Sequence, residues 1–158
     1  MRTCLFPGTF DPITLGHADV ISRGLDLFDR LVVGIGVNSS KTPMFPLEER
    51  MNWIKEIFKN DSRVEVMSYS GLTIEFCKKI GARFILRGIR NIGDFEYEKA
   101  IADVNRTVAP EIETIFLSTT PKYTSFASTL VRDIYRYGGD VSPFLPAPVI
   151  EGIRRLKQ

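Results

Sequence analysis

Short apolar runs alternate with longer amphipathic stretches along the whole chain. The runs Thr3–Phe6, Leu31–Val37, Arg63–Met67, Phe84–Leu86 and Thr114–Leu117 predict five strands. They are continuously apolar rather than alternating, as a sheet covered on both faces requires. Between them the spacing changes to that of a helix. Gly16–Phe28 puts Val20, Ile21, Leu25 and Phe28 on one stripe, and Leu47–Phe58 does the same with Leu47, Met51, Ile54 and Phe58. Pro46 opens the second of these, and Glu48 and Glu49 lie in its first turn, where the helix dipole favours acids. A third helix is expected at about Leu72–Ile80, stopped by Gly81. A fourth runs from about Asp94 to Val108, a fifth over Ser128–Tyr137, and a short tail helix follows Pro148.

Strands alternating with helices imply a parallel sheet with right-handed crossovers. The expected fold is α/β: a Rossmann-like, doubly wound, five-stranded parallel sheet with helices on both faces. With no repeat, linker or low-complexity tract, residues 1–158 read as a single domain. A chain of 158 residues is long enough to bury about 68–70% of its unfolded surface. Charged residues make up 25% and the net charge is only +2, too little to argue for a nucleic-acid partner. No stretch has the pattern of a signal peptide or a membrane span. Cys4 and Cys77 do not make a zinc motif and read as reduced packing residues of a cytoplasmic protein. No acidic cluster has metal-ligand spacing.

In such sheets ligands bind beyond the carboxyl ends of the strands. The loops after strands carry the unusual polar residues: Gly8–His17, then Asn38 to Pro43 with Lys41, then Arg87-Gly88-Ile89-Arg90, then Ser118 to Thr129. Loops at the opposite end are short turns without glycine-flanked cations. In the first loop, Gly8 allows close backbone approach, and Thr9 offers a hydroxyl with an amide. Thr14 and His17 stand three apart, on one face of a starting helix. Free amides at a helix start favour phosphate. Arg87 and Arg90 flank a flexible joint, and guanidinium forks suit phosphate, although two loop arginines can also be plain surface charge. Tyr123-Thr124-Ser125-Phe126-Ala127-Ser128-Thr129 is a hydroxyl-rich helix start, more than capping alone would need.

Gly8-Thr9-Phe10-Asp11-Pro12 followed by Thr14-x-Gly16-His17 resembles the signature of the nucleotidyltransferase superfamily. Thr14 in place of the usual first histidine is similar to its phosphopantetheine adenylyltransferase branch. Tyr123 to Arg132, Asp94 to Glu98 and Gly139 to Pro146 extend the resemblance over nearly the whole chain. The resemblance implies transfer of the adenylyl group of ATP to 4′-phosphopantetheine, giving dephospho-coenzyme A and pyrophosphate without a covalent intermediate. It implies catalytic roles for His17, Lys41, Thr9 and Arg90. It implies ATP binding by Thr9, Phe10, His17, Gly88, Ile89, Arg90, Glu98 and Tyr123, Thr124, Ser125, Phe126, Ala127, Ser128 and Thr129. Thr9, Lys41, Thr73 and Arg87 are implied for the other substrate. Mg²⁺ is expected to arrive with ATP rather than on protein ligands, coenzyme A to act as a feedback inhibitor, and the chain to form a homohexamer.

The single histidine of the chain has no Ser/His/Asp relay beside it. A phosphate monoester nucleophile needs none, since its second ionisation lies at about pH 6. Two other readings stay open: a relative using CTP or nicotinate mononucleotide, and a regulatory module that binds a nucleotide without reacting it.

Overall fold

The computed structural model describes residues 1–38, 40 and 42–156. Five strands form one parallel sheet: β1 (Thr3–Gly8), β2 (Arg30–Gly36), β3 (Val64–Tyr69), β4 (Phe84–Ile89) and β5 (Glu113–Ser118), in the order β3-β2-β1-β4-β5. The helices are α1 (Leu15–Gly24), α2 (Leu47–Ile57), α3 (Thr73–Ile80), α4 (Ile92–Val108), α5 (Ser128–Arg136) and α6 (Ala147–Leu156). None is long and apolar enough to cross a membrane.

Successive strand residues point to opposite faces, and this splits the core in two. Cys4, Phe6, Leu31, Val33 and Ile35 pack on one face with Val20 and Ile21 of α1, Trp53 and Ile54 of α2, Val131 of α5 and Val149 and Ile153 of α6. Leu5, Val32 and Ile85 pack on the other with Ile74, Phe76 and Cys77 of α3. The expectation of a doubly covered sheet holds at the centre. It weakens towards the β5 edge, because α4, 17 residues long, has no buried residue. Cys4 and Cys77 are free and fully buried.

Two differences from the sequence reading matter for the site. The first helix stops at Gly24 rather than Phe28, where a Cβ would stand 2.8 Å from Leu86. β1 and β4 run further than the apolar runs indicate, because Pro7 and Gly8 pair with Gly34 and Ile35, and Arg87, Gly88 and Ile89 pair with Phe116, Leu117 and Ser118. Arg87 therefore projects from a strand, not from a loop.

Candidate active site

The sheet opens where its order reverses. β1 pairs with β4 only through Cys4 with Phe84 and Leu5 with Ile85, although both strands continue and stay paired on their outer sides to Gly8 and Ile89. Beyond Leu5 the two middle strands part. A crevice at the carboxyl ends of strands beside such a switch point is where α/β sheets bind ligands. Arg87 spans it, donating from Nη1 to the Pro7 carbonyl at 2.7 Å.

A cavity of about 450 Å³ lies on one side, walled by the first loop, Gly88 of β4, Arg90 and Asp94 beyond that strand, and Tyr123 with Phe126 to Thr129. His17 faces it from the third position of α1, locked by a reciprocal cap. Thr14 caps the helix towards the His17 amide, and the Thr14 amide donates to His17 Nδ1 at 3.1 Å. An amide can only donate, so Nδ1 is the bare nitrogen and Nε2 carries the proton. The Thr14 hydroxyl, 3.0 Å from Nδ1, has its own acceptor in the Phe126 carbonyl at 3.0 Å. The imidazole packs edge-on against Phe10, with ring centres 5.2 Å apart. Burial, then the charges of Arg90 and Arg87, lower its pKa from 6.5 to about 4. His17 is thus a neutral, oriented hydrogen-bond donor at neutral pH.

Three bonds hold the chain after β5, from Phe126 into α5, against this first loop: Thr14 Oγ1 to Phe126 O, Ser128 Oγ to Pro12 O at 2.8 Å, and Arg132 Nη1 to Asp11 O at 2.8 Å. α5 then begins at Ser128 with no side-chain cap, Ala127 holding the cap position. Its first amides are the orphan donors of a helix start, and they open on the cavity. Gly8 has a packing reason the sequence did not disclose. A Cβ there would lie 2.8 Å from the Phe10 ring, which folds back over it with Phe10 at a positive φ of 46°.

Both arginines of the β4 end are held by acids of α4. Arg87 grips Glu98 with two prongs, Nε to Oε2 at 2.7 Å and Nη2 to Oε1. Arg90 binds Asp94 through Nε at 2.8 Å and through its own amide at 3.1 Å. Among the described residues no group of three or more His, Cys, Asp or Glu could hold a metal ion. The two carboxylates that line the cavity beyond β4 are the ones engaged by arginine.

A second cavity of about 460 Å³ lies across Arg87 and Glu98, sharing Pro7, Gly8 and Thr9 with the first. Its other walls are mainly apolar: Leu72, Ile74, Ile101, Ala102, Val104 and Val108, with Asn105 and Thr73 among them. The Tyr69 hydroxyl sits 2.9 Å from that of Thr73, and its ring stacks on Phe76 at 4.5 Å. One guanidinium therefore fronts a polar chamber and an apolar one.

A family model described as cytidylyltransferase-like matches residues 5–134. The phosphopantetheine adenylyltransferase of Flavobacterium psychrophilum is 54% identical over 94% of this chain and 98% of its own length. Those of Phocaeicola vulgatus and Caldanaerobacter subterraneus subsp. tengcongensis are 51% and 46% identical, covering 92% and 96% of the chain and 96% and 94% of their own lengths. The chain belongs to the cytidylyltransferase-like family, among its phosphopantetheine adenylyltransferases.

Of the residues that the resemblance to this adenylyltransferase branch singles out, the structure gathers Thr9, Phe10, His17, Gly88, Arg90, Tyr123, Phe126, Ala127, Ser128 and Thr129 around the first cavity. Thr73 lines the second, and Thr9, Arg87 and Glu98 line both. Ile89, Thr124 and Ser125 line neither. Ile89 ends β4 in pairing with Ser118, and Thr124 closes the short turn Pro121–Tyr123. Lys41 lies outside the described residues. Asp94 and Arg132 also line the first cavity, although neither was singled out for a role. The i, i+4 spacing of Arg90 and Asp94 was a readable signal of their pairing.

Proposed function

We propose that this chain, a nucleotidyltransferase of coenzyme A biosynthesis, transfers the adenylyl group of ATP to 4′-phosphopantetheine in one in-line step. The observation that carries the reading is the pair of chambers meeting at Thr9 and Arg87. ATP would occupy the polar chamber, with its phosphates on the α5 amides and Arg90. The pantetheine arm would lie in the apolar chamber along Leu72, Thr73 and Ile101. Its phosphate would then sit at Thr9 and Arg87, facing the α-phosphorus.

A phosphate oxygen of the acceptor attacks, forming a new P–O bond. The bond from α-phosphorus to the bridging oxygen breaks, and pyrophosphate leaves with its electron pair. The acceptor is already largely dianionic near neutral pH, with its second ionisation at about 6, so no protein base is required. What the protein supplies is position and charge neutralisation. His17 donates from Nε2 to an α-phosphoryl oxygen, Thr9 and Lys41 orient the attacking phosphate, and Arg90 steadies the nucleotide. Mg²⁺ would arrive on the ATP phosphates and neutralise part of their charge, held by phosphates and water. Coenzyme A, which joins both halves in one molecule, would span both chambers and exclude both substrates.

The reading also covers assembly and place. Tyr97, Ile101, Val104 and Val108 of α4 are exposed along one stripe of the helix, and the part of it that the pantetheine arm leaves uncovered is an apolar face of the kind a second copy covers. We assign this face to contacts within a homohexamer, working in the cytoplasm where ATP is supplied.

The test is pyrophosphate release from ATP with 4′-phosphopantetheine, nicotinate mononucleotide and glycerol 3-phosphate in turn. Release with the first alone is the expected result. Release with either of the others, or with none, overturns the assignment.

A further inference from the structure

Arg50, from the first turn of α2, is a charged residue that the proposed chemistry does not use, yet it is only 4% exposed. Burying a guanidinium is costly unless its donors are satisfied. Its donors reach two backbone carbonyls in different segments: Nη1 to Thr9 O at 2.6 Å and Nε to Phe45 O at 2.9 Å. Asp11 is equally buried, and its carboxylate accepts from the amides of Met44 at 2.7 Å and Phe45 at 2.9 Å. Phe45 is therefore held at its amide by Asp11 and at its carbonyl by Arg50. The Asp11 carbonyl in turn accepts from Arg132 of α5. Asp11 is also the charge that the buried Arg50 faces.

These bonds form a closed frame. Thr9 is the loop residue that lines both chambers, and its side chain is exposed to them, with no hydrogen bond from another described residue holding it there. From behind, it is fixed through its carbonyl, by a guanidinium anchored on α2. A lysine at position 50 could not reproduce this, because a single ammonium lacks the planar fork that spans two separated carbonyls. An apolar residue would fill the same space without the cost of burying charge, so packing alone does not account for Arg50.

We propose that Arg50, with Asp11 as its buried counter-charge, is a positioning residue for the transfer step that sets Thr9 against the attacking phosphate. This rests on the role given to Thr9 above. A shift of about 1 Å in a reacting group can lower a rate by about 100-fold without weakening binding comparably.

The experiment is a double-mutant cycle of Arg50→Lys and Thr9→Val, following kcat and both KM values by pyrophosphate release, with thermal unfolding measured alongside. Arg50→Lys is expected to lower kcat by about 10- to 100-fold, with each KM changed by less than about threefold. If Arg50 acts through Thr9, the double variant loses little beyond Thr9→Val alone, whereas independent residues would multiply their losses. A kcat for Arg50→Lys within threefold of the parent, or multiplied losses, overturns the proposal while leaving the role of Thr9 intact. An unimpaired Thr9→Val removes that role, and this proposal with it. Should Arg50→Lys not fold, Asp11→Asn enters the same cycle. It keeps the shape of the carboxylate but presents a donor to one of the two amides, and the same outcomes decide.

Discussion

The two chambers that meet at Arg87 are nearly equal in size, about 450 and 460 Å³, and are built by opposite means. The polar one is made of loops and helix starts, and its first loop is tied to its neighbours by half-buried hydrogen bonds: Thr14 to Phe126, Ser128 to Pro12, Arg132 to Asp11, Arg50 to Thr9. The apolar one is walled largely by side chains of α4 and the start of α3. Leu72, Ile101, Val104 and Val108 there remain exposed. The difference separates two tasks. Where charge must be met at a defined point, the backbone is fixed from several directions. Where an arm need only be desolvated, side chains suffice and tolerate change.

The sharpest way to break this comparison is His17→Ala. Loss of one donor to the transition state is expected to lower turnover by about 10²–10³-fold, while the KM for ATP moves by less than about threefold. A comparable rise in KM would make His17 a binding group only.

Gly152→Ala is the corresponding change away from both chambers. A Cβ there would lie 2.0 Å from Trp53 Nε1, a buried nitrogen without a partner among the described residues. Overpacking of that kind costs about 1–3 kcal/mol. Chemical denaturation should show the loss, with kcat of the folded protein unchanged.

In the apolar chamber, Ile101→Ala removes part of one wall. Burial of half such a side chain is worth about 1 kcal/mol, so the KM for 4′-phosphopantetheine should rise roughly fivefold with kcat and the ATP KM retained. A fall in kcat instead would give this wall a part in positioning the phosphate.

Acid, too, distinguishes the polar chamber from the apolar one. In the ligand-free protein His17, the only histidine of the chain, should titrate near 4 rather than 6.5 when followed by nuclear magnetic resonance. The native state then binds its proton later than the unfolded chain does. Its contribution to stability is complete above about 6.5 and is lost as pH falls towards 4. An acid limb in turnover near pH 6 would accordingly belong to the acceptor phosphate.

Much of the framework was legible because strand and helix periodicities here are clean, and each strand and helix forms close to where its apolar run lies. The polar chamber was legible for a different reason. Its residues fall in loops at one end of the sheet, and topology brings such loops together. What escaped were relations between distant positions. Nothing in the spacing of eleven residues pairs Arg87 with Glu98, and nothing local shows that Asp11 clasps Met44 and Phe45. The helical pattern of α4 marked the helix but not that its apolar residues stay uncovered within one chain. Apolar periodicity gives a face, and what meets that face is set elsewhere.

The early parting of β1 and β4 leaves one side chain, Arg87, bridging the gap while fronting both chambers. Three of its five N–H donors are spent on Glu98 and Pro7, so an anion that takes up the remaining two from one chamber would leave none for the other. By linkage, the factor by which a first occupant changes the affinity for a second is returned unaltered when the order of arrival is reversed. A split between two strands thus makes two vessels into a communicating pair.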